Sequence, residues 1–199
     1  MNSQNIISII IKAFLIWLIL SILGFFFRIN IITLLTPFYE KISEMSYKNY
    51  HIEISIKQEK TDKVVISATP LKNIIISPKQ TLPAGTTIEG SISLLHCLVP
   101  ILILLMVIFA LPIHSFRQLI ILILLTIPMI FLVSALTAPL QLLAQLEIGF
   151  HNAALKAGFH REESWILTWS LLTEGGGRWL LPALFGLICS STSQKISKN

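Results

Sequence analysis

Residues 6–27 form an almost unbroken apolar run, interrupted only by Ser8, Lys12, Ser21 and Gly24. About twenty such residues in helical form reach across the roughly 30 Å hydrocarbon layer of a bilayer. The run is too long for the hydrophobic region of a signal peptide, and the following FFFRINII lacks a small-residue cleavage pattern. The pattern therefore predicts an uncleaved membrane anchor over residues 1–28. Three more apolar stretches come later, at about 93–112, at about 119–140, and around residues 173–179, the last ending near Cys189. The polar turn IHSFRQ divides the first two, so residues 93–140 read as two membrane helices. Residues 169–199 read as a final membrane helix with a polar tail.

Between the first two apolar runs the period changes. Leu34, Leu35, Phe38, Ile42 and Met45 recur at helical spacing. In YHIEISIK, Tyr50, Ile52, Ile54 and Ile56 alternate with His51, Glu53, Ser55 and Lys57; KVVISAT alternates again after the turn-like QEKTD. Residues 50–69 thus predict a β-hairpin, and NIIIS (73–77) a third short strand before the breakers Pro78, Pro83 and Gly85. Residues 29–92 form a small α+β insert. A unit of that size buries a modest share of its surface, so its apolar face needs a cover. Its own loops, the bilayer surface, residues 141–168 or another protein could supply one. In residues 141–168 and just before them, Leu140, Leu143, Leu146, Phe150 and Ala154 share a stripe, with Gln141, Gln145 and Glu147 expected to face away. That pattern predicts a helix and loop along the outer interface.

Composition sharpens the class. The chain of 199 residues is 54% hydrophobic and 13% charged, against roughly 25% charged in a soluble domain. The net charge of +5 is spread out with no basic run, which argues against nucleic acid as a partner. Cations in short segments favour the cytoplasmic side. Lys12, Arg117, Lys195 and Lys198 satisfy that rule if both termini are cytoplasmic and the insert is outside. The expected fold is membrane α-helical: four transmembrane helices in a bacterial cytoplasmic (inner) membrane, with a small extracytoplasmic α+β insert containing a β-hairpin.

Against this background TEGGGRW, residues 173–179, stands out. Counted at 1.5 Å per residue from Ser190, Arg178 lies about 18 Å and Glu174 about 24 Å toward the outer side. Both avoid the bilayer midplane, where either charge costs roughly 2.5–3.5 kcal/mol. Their i, i+4 spacing puts them on one helix face in the favourable acid-first order. Bare backbone at Gly175, Gly176 and Gly177 would let a neighbouring helix approach closely. Glu174, Gly175, Gly176, Gly177, Arg178 and Pro182 are therefore the candidate partner-binding residues. In a second reading TEGGG is only the entry loop of a helix beginning near Gly175, with Trp179 as an interfacial anchor and Pro182 in its first turns.

Chemistry is scarce. Cys97 could serve an integral-membrane thiol peptidase only if a base such as His151 or His160 reached it, because the adjacent His96 does not face it on a helix. His151, His160, Glu162 and Glu163 lack a recognised metal-ligand spacing. EGGGRW lacks the order of a phosphate-binding loop. A transporter subunit would need polar lining from other chains, since the first three spans offer only scattered Ser and Thr. No catalytic residue, metal or cofactor is expected. The two cysteines lie near the start of one span and the end of another, which argues against a disulfide.

One N-terminal anchor, a strand-rich extracytoplasmic insert, LPAGT before a proline-bearing second span and a late GGGRWLLPAL resemble the exosortase H-associated membrane proteins. The resemblance covers most of the chain in architecture, through short motifs. It implies an accessory subunit of a protein-sorting system, with Gly176, Gly177, Arg178 and Pro182 matching the family's late glycine-arginine segment. The partners it implies are the lipid bilayer and a larger polytopic membrane protein such as an exosortase. The sorting enzymes themselves are larger and carry a Cys/Arg/His set, which this chain does not display convincingly. The reading is of a non-enzymatic accessory protein.

Overall fold

A computed structural model describes residues 3–58, 61–77, 80–160 and 162–198. It is mostly helical, with two helices long and apolar enough to cross a membrane and a small β region between them. The first, α1, is a 44-residue helix, Ser3–Ser46. At 1.5 Å per residue it is about 66 Å long, twice the hydrocarbon layer. Anchor and amphipathic helix, expected to meet near residue 28, are one continuous rod. Pro37 lies on its exposed side and withholds a single N–H without ending the helix.

The chain then turns back along α1 as strands β1 (Tyr50–Gln58) and β2 (Asp62–Pro70), paired antiparallel from Tyr50↔Pro70 to Gln58↔Asp62. The hairpin is as expected, and its alternation is kept: Ile52 and Ile54 are buried while His51, Glu53, Ser55 and Lys57 are exposed. The segment expected to add a third strand forms β3 (Ile74–Ser77), which instead pairs with β4 (Gln80–Leu82) in a separate two-stranded sheet. The third strand of the main sheet is β5 (Ile88–Ser93), antiparallel to β2 with Val64↔Ile92 and Ile66↔Gly90.

From β5 the chain enters α2 (Leu94–Ala110), crosses a short turn and forms α3 (Phe116–Lys156), a 41-residue helix about 62 Å long. A short helix α4 (Trp165–Leu172), a kinked corner (Thr173–Gly177) and helix α5 (Arg178–Lys198) complete the fold. Gln141 meets Glu174 while Leu125 lies at Cys189, so α3 and the α4–α5 limb run antiparallel.

Two cores divide the molecule. The larger joins Ile52, Ile54, Val64 and Ile66 of the sheet to Ile32, Leu35 and Tyr39 of α1 and to Leu142, Leu143 and Leu146 of α3. The smaller joins Leu104 and Ile108 of α2, Leu122 and Val133 of α3, and Cys189 of α5. The greasy side of the sheet is thus covered by the chain's own α1 and by α3 from Leu140 to Ala154, one of the covers the sequence left open. Full burial of each such aliphatic side chain contributes roughly 1.5–3 kcal/mol.

The stripe Leu140, Leu143, Leu146, Phe150 and Ala154 is buried, but Gln141 and Glu147 are buried with it, and only Gln145 of the three polar residues faces out. This part of α3 packs against the sheet, α1 and α4 on one side and leaves Gln145, Ile148, Gly149 and Leu155 exposed on the other. Its inward polar groups have partners: Gln141 Nε2 donates to Glu174 Oε1 at 3.0 Å, and the Tyr47 hydroxyl donates to the Glu147 carboxylate. Buried polar groups stay inside at tolerable cost only when bonded in this way.

Candidate functional site

The segment singled out in the sequence forms the corner between α4 and α5. Ser164 caps α4, its hydroxyl accepting from the Leu167 N–H at 3.4 Å. At the other end Thr173 donates its hydroxyl back to the carbonyls of Trp169 and Ser170. Trp169 fastens the corner to α3, its Nε1 donating to the Leu136 carbonyl at 2.7 Å. That carbonyl sits next to the Ala135 carbonyl, which loses its ladder donor because Pro139 has no N–H.

The following turn is neither a loop nor a regular helix. Between Thr173 and Gly177 the two helices meet at a kink, where Gly176 leaves helical geometry with φ +127° and ψ −13°. Arg178 then opens α5 and donates from Nη2 to Glu174 Oε2 at 2.6 Å, the i, i+4 pair expected from the spacing. Glu174 shares its other oxygen with Gln141, so one carboxylate ties α5 to α3. The Arg178 side chain is only 15% exposed against 49% for Glu174. Its Nε–H is buried without a partner among the described residues. Pro182 is buried one turn into α5, where it leaves the Arg178 carbonyl without its i+4 donor.

The three glycines have separate local reasons. Gly176 holds a positive φ that side-chain-bearing residues rarely adopt. At Gly177 a Cβ would fall 2.8 Å from the Leu172 carbonyl oxygen, in its own preceding turn. At Gly175 a Cβ would meet nothing within 4 Å. Within the chain, close helix approach occurs instead at two glycines the sequence reading passed over. A Cβ on Gly186 would lie 2.9 Å from Val107 of α2, and one on Gly24 would lie 3.1 Å from Leu102. Their signal was a lone small residue in an otherwise bulky apolar helix, which is easily mistaken for filler.

Around the ion pair, Leu171, Leu172, Trp179 and Leu180 are all exposed. The corner is therefore a charged spot in an apolar rim, open on the side of Gly175. Cys97, by contrast, is fully buried in α2 beside the Tyr39 hydroxyl. His151 and His160 approach each other with ring centroids 6.3 Å apart. Among the described residues no three His, Cys, Asp or Glu side chains gather as a metal site would require. No protein-family model, curated protein or solved structure matches this chain.

Proposed function

We propose that the protein is a four-span integral protein of the bacterial cytoplasmic membrane, a non-enzymatic accessory subunit that docks a larger polytopic membrane protein through the α4–α5 corner. The spans are the first half of α1, α2, the first half of α3, and α5. Support for insertion comes from α1, where most of the large apolar side chains from Ile7 to Phe27 are exposed and, among the described residues, Gly24 alone is buried, against α2. A helix of that kind needs a non-aqueous cover. α2, at about 26 Å, is long enough to accompany it, and α5 is apolar from Trp179 to Cys189, about 17 Å, beyond the corner. The alternating helix directions put Lys12, Arg117 and Lys195 at one end, as the cation rule favours for a cytoplasmic face.

The observation that carries the docking role is the corner's geometry. A kink at a positive-φ glycine interrupts an otherwise regular limb. The interruption holds Glu174 half exposed, aligned with Arg178, beside open space at Gly175 and four uncovered apolar side chains. The insert contributes its polar outer face, since its apolar face is already covered. The resemblance to the exosortase H-associated proteins points to an exosortase as the larger partner.

Gly175 tolerates a side chain, so it is the position for a photo-crosslinking residue. In cells producing both proteins, the expected outcome is an adduct with the polytopic partner that weakens when Arg178→Ala is added. Recovery of lipid or self-adducts alone would contradict the docking role.

A further inference from the structure

At the end of the hairpin where Gln58 pairs with Asp62, the strands come back level with Arg28 of α1. Arg28 Nε donates to Asp62 Oδ2 at 2.6 Å, and Nη1 donates to the Phe25 carbonyl at 2.7 Å. The guanidinium also lies over the Phe25 ring, 4.4 Å from its centroid. A guanidinium has five N–H donors, and among the described residues these two bonds leave three. The ion pair borders a cleft of about 340 Å³ that is lined also by Thr61, Ser93, Leu94 and Leu95. Ser93 precedes α2, yet its side chain makes no capping bond, so its hydroxyl is uncommitted there. Phe25 and Leu95 are more than half exposed at the cleft's edge.

We propose that this cleft seats the headgroup of an ethanolamine phospholipid. The phosphate lies on Arg28 with the Thr61 and Ser93 hydroxyls, the ammonium reaches Asp62, and the acyl chains run along Phe25 and Leu95. The proposal rests on the membrane-spanning reading: the apolar run of α1 ends at Arg28 and that of α2 begins at Leu94, so the cleft lies where headgroups begin. The choice of lipid follows from charge. The cleft holds one cation and one acid, so a singly anionic headgroup would bring its charge against Asp62, whereas a zwitterion complements both. A guanidinium is suited to phosphate, and the bond is charge-assisted. A primary ammonium can donate to Asp62; a quaternary one cannot, and the ring face that would attract it is occupied by Arg28.

The test is native mass spectrometry of the full chain in detergent, offered equal amounts of ethanolamine, choline and glycerol phospholipids. The expected result is preferential retention of the ethanolamine lipid. Retention should fall about tenfold in Arg28→Gln and in Asp62→Asn, the scale of one hydrogen bond to a charged group. It should be unchanged in Lys57→Gln, whose ion pair with Glu89 lies on the sheet's outer face. Circular dichroism of each variant confirms that folding is kept. Equal retention of the three lipids, or preference untouched by both cleft substitutions, would overturn the proposal. Carbonate washing of membranes reads the spanning claim separately: a chain that is washed off defeats that claim and this one together. A chain that stays but shows no lipid preference defeats only this one.

Discussion

Gly175, Gly176 and Gly177 are chemically identical and structurally three different cases. At Gly176 the backbone sits at φ +127°, where a Cβ brings strain of about 1–3 kcal/mol. At Gly177 the obstacle is a backbone carbonyl, which cannot rotate away as a side chain can. Gly175 has neither constraint. Thermal unfolding in detergent should therefore show Gly176→Ala and Gly177→Ala clearly destabilised. Gly175→Ala should match the wild type or gain up to about 1 kcal/mol from better helix propensity. If Gly175→Ala were as damaging as its neighbours, the local account of the turn would be wrong. The same variant separates stability from recognition, because a side chain at Gly175 intrudes only on a docked partner. Glu174 is half exposed but its partner Arg178 is only 15% exposed, so Glu174→Gln should cost about 1–2 kcal/mol.

At the level of elements, the sheet and α3 approach closely at Gly90. A Cβ on Gly90 of β5 would stand 3.0 Å from Gln145 Cβ, 3.2 Å from Ile66 Cγ2 and 3.3 Å from Leu146 Cδ2. Gly90→Ala should lower stability by about 1–3 kcal/mol through overpacking, measurable as a reduced unfolding midpoint. The same glycine explains why β5 was invisible in the sequence. Its inward positions are Ile88, Gly90 and Ile92, and the glycine removes the middle apolar residue from an alternation only three steps long. The hairpin, by contrast, was legible because β1 and β2 alternate without a gap. The expected break near residue 28 came from a change in composition, but the backbone there contains nothing that stops a helix. The pattern alone turns Gln141 and Glu147 toward water, because in a local sequence polarity is the only sign of exposure. Their partners, Glu174 and Tyr47, lie 33 and 100 residues away, a distance no local pattern encodes. At the corner, the ion pair followed from spacing alone, whereas the kink depends on a backbone conformation that three consecutive glycines permit without specifying.

Across the whole molecule, the two long helices each extend well beyond a bilayer's hydrocarbon layer, and their far halves enclose the sheet. One end thus carries the strands, the hairpin and the α4–α5 corner, while the other carries both termini and the turn between α2 and α3. The proposed docking site depends on the first end being extracytoplasmic. Both native cysteines are buried, so single introduced cysteines can report this directly. The decisive measurement is labelling of intact cells with a membrane-impermeant maleimide, comparing Glu53→Cys on the exposed face of β1 with Lys195→Cys near the end of α5. The account predicts that position 53 labels in intact cells and position 195 only after permeabilisation. The reverse pattern would contradict it.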